Sequence, residues 1–255
     1  MQECCLNIET AQTTRIGNRE TNQDRACLVV SDVDMLLAVA DGMGGHADGE
    51  QAADTAIHSL IDGFKQERPA TLNGKISAYL QNQIHAAHRA VVQLGADRPF
   101  ENRPRTTITA CVIVDGKAWW AHVGDSRVYV FRNGELLART RDHSAVESLF
   151  QQGLISEEEI HTHPMRNFVD QCLGGEAPVP EVDLSEALIL QPNDIVLLCS
   201  DGFWTPLDTA ALGEVLHTGE DLQDTLDSIA LEAEQATKPY SDNVTAVAMR
   251  WLPED

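Results

Sequence analysis

Two hydrophobic periods alternate along this chain. Met35 to Ala40 is an unbroken apolar run that ends in Asp41-Gly42-Met43-Gly44-Gly45-His46. A run of this kind predicts a strand covered on both faces. Glycines at 42, 44 and 45 let the backbone bend sharply and let a main-chain carbonyl approach a ligand closely. From Gly49 the apolar spacing becomes Ala53, Ala56, Ile57, Leu60, Ile61 and Phe64, which predicts a helix over 49–65. Asp41 is therefore expected at a strand-to-helix switch. The run 118–124 leads in the same way into Asp125-Ser126, and the run 195–200 leads into Asp201-Gly202. Ser241-Asp242-Asn243 precedes a further strand, 244–251. One such aspartate is ordinary turn chemistry. Several gathered at the ends of core strands would repel one another unless cations hold them.

The remaining pattern fills in the frame. Residues 4–10 and 26–30 read as strands around a polar loop, 14–25. A second helix is expected over 73–94, with Ile76, Leu80, Ile84, Ala87 and Val91 on one face. His58, His85 and His88 fall on these helices and read as surface or half-buried residues. Residues 107–114 and 117–123 flank Asp115-Gly116, and 127–132 and 135–139 flank Asn133-Gly134. Both are hairpin signals, and consecutive hairpins imply antiparallel sheets. Trp119 and Trp120 should point to opposite faces. Residues 142–180 break the regularity with short helical pieces and His161-Thr162-His163, and read as an insertion beside the core. Strands at 187–190 and 195–199, helices at 209–216 and 222–236, and the strand 244–251 complete the chain.

Composition narrows the partners. The 255 residues are 43% hydrophobic and 23% charged, with a net charge of -22. That is enough chain for a sizeable core, and the sign argues against nucleic acid or an anionic membrane as partner. The six cysteines (4, 5, 27, 111, 172 and 199) form no CxxC. Most lie in apolar runs, which fits buried reduced thiols rather than a disulfide framework or a zinc site. With no bilayer-length apolar stretch and no signal-peptide pattern, a cytoplasmic protein is expected.

The expected ligands at the strand ends are oxygens, which favour Mg²⁺ or Mn²⁺ over Zn²⁺. Two such ions side by side suit phosphoryl chemistry. Arg19, in the polar loop, could clamp an anion with its planar fork or could be a surface ion-pair residue.

Taken in order, Arg19-Glu20-Thr21-Asn22-Gln23-Asp24, Ala40-Asp41-Gly42-Met43-Gly44-Gly45-His46, Val123-Gly124-Asp125-Ser126-Arg127, Cys199-Ser200-Asp201-Gly202 and Ser241-Asp242-Asn243-Val244-Thr245 resemble the motifs of the PPM (PP2C-type) metal-dependent Ser/Thr protein phosphatases, bacterial branch. The resemblance implies an α+β fold, a four-layer αββα sandwich of two antiparallel sheets flanked by helix pairs. It implies one phosphatase domain over 1–255, with a flap within 142–180. Two core Mn²⁺ or Mg²⁺ ions are implied, with Asp41 bridging them, the Gly42 carbonyl on one, and Asp201 and Asp242 on the other. Asp125 and Asp201 would hold a weaker third ion, together with Asn167. Asp24 would act on the metal-bound water and Arg19 would bind the substrate phosphate. A metal-bridging hydroxide would attack phosphorus directly.

Three positions depart from the pattern. Gln23 stands where many members have Glu, Arg105 where a Gly is usual, and Met43 where some members have a proposed acid. His46 is a candidate for that acid by proximity only. The implied partners are phosphorylated proteins and a cognate Ser/Thr kinase, with no nucleic acid and no membrane, and the enzyme is expected to be a monomer. A catalytically inactive phosphoprotein-binding scaffold and a small-molecule phosphohydrolase are the alternative readings.

Overall fold

The computed structural model describes residues 6–43, 47–72, 74–160, 163–175 and 178–253. Expectations for Cys4, Cys5, Gly44, Gly45, His46 and His161 fall outside these residues. The strands are β1 (Ile8–Arg15), β2 (Asp24–Val30), β3 (Asp34–Met43), β4 (Arg105–Thr106), β5 (Ile108–Val114), β6 (Lys117–Val123), β7 (Arg127–Arg132), β8 (Glu135–Arg139), β9 (Leu173–Gly174), β10 (Asp183–Leu184), β11 (Leu188–Ile189), β12 (Ile195–Cys199) and β13 (Val244–Trp251). The helices are α1 (Ala47–Gln66), α2 (Ile76–Leu94), α3 (Ala145–Gln151), α4 (Glu157–Ile160), α5 (Asp201–Trp204), α6 (Thr209–Leu216) and α7 (Leu222–Ala236).

One sheet runs β1-β13-β12-β7-β8. The other is built on β2-β3-β5-β6, with β10 and β11 along the outer edge of β6, and β4 then β9 continuing from the end of β3. Every pairing is antiparallel. The side-chain alternation of a strand decides which layer each residue fills. In β3, Met35, Leu37 and Val39 face the other sheet, while Leu36, Ala38 and Ala40 face α1 and α2. In β12, Val196 and Leu198 face inward, and Ile195, Leu197 and Cys199 pack with residues of α6 and α7. The result is three apolar layers within an αββα stack, the expected architecture. Continuous apolar runs are the signature of strands covered on both faces, and that covering is why the central strands carry almost no polar residues.

The expected elements recur with small shifts. Asp115 and Gly116, and Asn133 and Gly134, all have positive φ, as their hairpin turns demand. Trp119 joins the helix-facing layer and Trp120 the inter-sheet layer. The first strand starts at Ile8 and runs on to Arg15, because Thr10, Gln12 and Thr14 keep pairing with β13. His88 is a correction. It is 2% exposed, and its Nδ1 accepts from the Gly174 N–H at 3.2 Å, so it fastens β9 to α2. Cys27, Cys111 and Cys199 are buried free thiols, as expected, and Cys172 is half-buried. Among the described residues no helix is long and apolar enough to cross a membrane.

β6 and β7 follow one another but lie in different sheets, so Gly124-Asp125-Ser126 is where the chain crosses over. Gly124 has φ 110°, and a Cβ there would come within 2.6 Å of the Thr107 methyl. Only glycine makes that crossing without strain.

The start of β3 is tied by a polar knot. Asp34, fully buried, accepts from Ser31 Oγ at 2.7 Å, from the Ala70 N–H at 3.2 Å and from the Arg68 guanidinium. Asp34→Ala is expected to lower the urea unfolding free energy by about 2–4 kcal/mol, since it strands these donors. A loss within about 0.5 kcal/mol would mean that the contact behaves as an exposed ion pair.

Candidate active site

The predicted acids meet at one end of the sandwich, where both sheets run out. Asp24 opens β2 and pairs directly with Asp41 of β3, so both side chains lie on one face of one sheet. Asp201 follows β12 in the other sheet, as the first residue of α5, close enough that its charge acts on both Asp24 and Asp41. Asp242 precedes β13, and Asp125 sits in the crossover between sheets. Five residues far apart in sequence thus converge because β2, β3, β12 and β13 all begin or end here.

The scaffold around Asp41 is made of hydroxyls and main chain. Its carbonyl accepts from the Thr107 N–H at 2.8 Å and from Thr106 Oγ1 at 2.9 Å. Its N–H donates to Thr107 Oγ1 at 3.0 Å, and that oxygen also bonds Ser126 Oγ at 2.7 Å. The β3 end and the Asp125 crossover are therefore braced against each other. β3 does not stop at Asp41 but pairs onward through Gly42 and Met43 with β4. Arg105, the departure from the expected glycine, sits there in regular strand with its guanidinium 4.9 Å from the centre of the Phe100 ring.

Gly42 and Gly49 touch. A Cβ on Gly42 would lie 2.1 Å from the Gly49 carbonyl oxygen, and one on Gly49 would lie 2.7 Å from the Gly42 oxygen. The first turn of α1 packs directly on the candidate ligand carbonyl. Gly49 was not singled out from sequence. Its signal was a glycine in a helix's first turn, where alanine would favour the helix.

Asp24 is 2% exposed. Its Oδ2 accepts from Ser200 Oγ at 2.7 Å, and Ser200 Oγ in turn accepts from the Thr245 N–H at 3.1 Å. Asp24 Oδ1 and Asp201 Oδ1 are buried without a hydrogen-bond partner. Burial, with the charges of Asp201 and Asp242 adding to it, raises the Asp24 carboxyl to about 7. Burial and the Asp242 charge raise Asp201 to about 6. Burial and then the neighbouring carboxylates push Asp41 well above the ordinary range, and burial together with Asp201 does the same to Asp125.

Arg19 reaches the site through a loop held to β13. Asn243 binds that loop three ways, donating to the Ile16 and Thr21 carbonyls and accepting from the Gln23 N–H. Arg19 Nη2 contacts Asp242 Oδ2 at 2.5 Å, and both side chains are partly exposed. The two readings of Arg19 are thus not exclusive: it is an ion-pair residue, and its partner is one of the site's acids. On the opposite rim, Asp125, Asp201 and Asn167 line one cleft with Val146, Ile160 and Arg166 of the 142–180 segment. The Trp204 indole N–H donates to the Asp125 carbonyl at 3.0 Å. Trp204 also stacks on Arg127, which makes two 2.7 Å bonds to Asp142.

Two orphaned buried carboxylate oxygens, and acids that oppose each other's ionisation, fit a hard divalent cation better than any protein partner. The profile of the protein phosphatase 2C family matches residues 11–243. The chain belongs to the protein phosphatase 2C family. The serine/threonine phosphatase stp of Listeria innocua is 31% identical over 92% of each chain. The solved structure of the Streptococcus agalactiae serine/threonine phosphatase superposes with a TM-score of 0.86, at 30% identity, over 96% of this chain and 100% of that one. The catalytic domain of the serine threonine protein phosphatase PstP, solved in complex with 2 manganese ions, superposes with a TM-score of 0.79 at 29% identity, covering 96% and 99%. These matches carry the expected 2C-type sandwich onto this chain.

The raised carboxyls of this family member predict an unusual stability profile. Asp24 and Asp201 titrate higher when folded, near 7 and 6, than the 3.8 of an ordinary aspartate. The folded state therefore holds protons that the unfolded state has released. Their contribution is fully present below about pH 4 and is lost as pH rises through about 6 to 7. EDTA-treated protein should lose several degrees of melting temperature between about pH 5 and pH 8, and Mn²⁺ should flatten that slope. Calorimetric melting across pH, with and without Mn²⁺, checks this. A chelated protein that grows more stable over that interval would contradict it.

Proposed function

We infer that this chain is a metal-dependent protein phosphatase that hydrolyses phosphoserine and phosphothreonine in proteins. The observation that carries the reading is the convergence of Asp24, Asp41, Asp125, Asp201 and Asp242, with Asp24 Oδ1 and Asp201 Oδ1 buried and unpartnered, beside a partly exposed arginine. The manganese in the related PstP structure supports Mn²⁺ or Mg²⁺ as the cation. Asp41 would bridge two core ions, with the Gly42 carbonyl on one and Asp201 and Asp242 on the other. Asp125 and Asp201, with Asn167, would hold a third, weaker ion, as the family resemblance implies. When bound, the core pair supplies charge for the phosphate oxygens and lowers the pKa of water.

The chain's own groups do the rest. Asp24 offers Oδ1 as a proton acceptor while Ser200 holds Oδ2 in place. Arg19 presents a planar fork of donors that suits a phosphate. Its pair with Asp242 keeps the guanidinium at the mouth of the site. Such a substrate requires a Ser/Thr kinase as the enzyme that makes it. The full set of acids argues against an inactive scaffold.

Phosphate release from a phosphothreonine peptide is expected to stop with EDTA and to return with Mn²⁺ or Mg²⁺. Asp41→Asn should abolish turnover even at high Mn²⁺. Asp125→Asn should keep the tightest metal binding, read by calorimetry, while turnover slows. Loss of the tightest site in Asp125→Asn with its retention in Asp41→Asn would reverse the assignment of the bridging acid.

Arg19→Ala should raise KM by roughly 5- to 50-fold and change kcat less, because a phosphate clamp contributes mainly ground-state binding. An unchanged KM would reduce Arg19 to its ion pair with Asp242.

A further inference from the structure

Away from the acidic centre, three side chains with nitrogen and oxygen donors meet at the base of the 142–180 segment. His122 ends β6 and Asp183 opens β10, and the two are direct cross-strand partners. Partners of that kind carry their side chains on one face, with Cβ atoms about 5 Å apart. His143 comes from the residues just before α3, and its ring lies 4.6 Å from that of His122. One donor atom from each of the three residues lies within 4.8 Å of the other two. His143 Nε2 and Asp183 Oδ2 are 3.5 Å apart. Ligands about 2.0–2.1 Å from a tetrahedral zinc are separated by about that much.

We propose that His122, His143 and Asp183 form a second cation site, for a borderline divalent ion of the zinc type, which pins the two ends of the 142–180 segment to the edge of β6. The donor set differs from that of the acidic centre. Imidazole nitrogens favour Zn²⁺, Co²⁺ or Ni²⁺, whereas carboxylates and water favour Mg²⁺ and Mn²⁺. The surroundings suit a ligand role. His122 is 2% exposed, and its Nε2 bonds the Arg141 carbonyl at 2.7 Å, the type of outer contact that orients a metal-bound imidazole. Asp183 is 54% exposed on its side chain, so an ion reaches the site from solvent and water completes the shell.

One contact must give way, and it points toward the phosphatase centre. His143 Nδ1 accepts from the Gly124 N–H at 3.3 Å. An ion on Nε2 places the ring proton on Nδ1, where it opposes that N–H. The bond lost is a long one, but Gly124 immediately precedes Asp125, and its carbonyl is held at 2.9 Å by the His143 N–H. Occupancy at this site is therefore felt in the crossover that carries Asp125.

The test uses the full chain in excess Mg²⁺, which occupies the acidic centre and competes poorly for imidazole. Co²⁺ is then titrated by calorimetry, with the visible absorption of tetrahedral Co²⁺ as a second readout. The expected result is one Mg²⁺-resistant equivalent in the wild type, weakened at least tenfold in Asp183→Asn and lost in His143→Ala. Asp183 is exposed, so its variant keeps the fold and serves if His143→Ala does not. Co²⁺ binding that Mg²⁺ displaces completely, or a resistant equivalent that is the same in Asp183→Asn as in the wild type, overturns the proposal. Neither readout depends on phosphatase turnover, so failure here leaves the reading of the acidic centre intact.

Discussion

The mutual repulsion of buried carboxylates is the constraint on which this molecule turns. Asp24 and Asp41 belong to one sheet, and Asp201 and Asp242 follow or precede strands of the other. The sandwich holds them together through apolar layers whose strands run directly up to the charges. Met35, Leu37 and Val39 of β3 pack with Val196, Leu198, Val247 and Met249 of the facing sheet. Burying side chains of this size stabilises by about 1.5–3 kcal/mol each. That rigid core is what keeps several acids in contact when their own electrostatics would separate them. A cation held by these acids would reverse the sign of the local interaction and link the two sheets at that end of the sandwich.

The supporting groups are chosen to avoid charge. Thr106, Thr107, Ser126, Ser200 and Thr245 surround the acids with hydroxyls and main-chain donors, and Asn243 secures the Arg19 loop with an amide. A lysine or arginine in these places would pair with an acid permanently and compete with a cation. The buried Arg127 of the region is instead fully engaged, with Asp142 on both forks and Trp204 over its face. It lends rigidity to the crossover, and its charge offsets part of the burial penalty on Asp125.

Much of this was legible in the sequence, for identifiable reasons. A run such as 35–40, the two hairpin dipeptides and the helical spacing of 53–64 are strong local signals, and each element formed where it was expected. The acids stood out because each follows or precedes such a run. What escaped were features that depend on two distant segments meeting. β4 and β9 are two residues long, too short to carry a period, yet β4 braces the end of β3. Gly49 matters only because α1 presses on Gly42. Ser200 reads as part of an apolar run and proves to be the partner of Asp24. His122, His143 and Asp183 have no shared motif, since the register of β10 on β6 is what brings them together. His88 looked like a surface residue because helical spacing alone does not reveal a strand crossing that face.

With Arg19 as the proposed clamp and Asp242 as a proposed metal ligand, their ion pair would let the site hold both in one place. Both side chains are partly exposed, 55% and 39%. A pair of that exposure contributes about 0–1 kcal/mol, because water competes for both partners. Releasing it is therefore cheap, whereas a guanidinium facing a phosphate makes charge-assisted, two-pronged bonds that are stronger than neutral ones. On the proposed roles, a cation would replace the arginine at Asp242 and a phosphate would replace the carboxylate at Arg19, and an exposed pair would exchange in this way without disturbing the core. Had the same two residues been buried, separating them would have left an uncompensated charge and cost several kcal/mol. The Arg19 loop has its main chain tied down by Asn243 and by the Asn18 N–H on the Ser241 carbonyl while the Arg19 side chain is exposed, and that would make such an exchange compatible with a fixed metal centre.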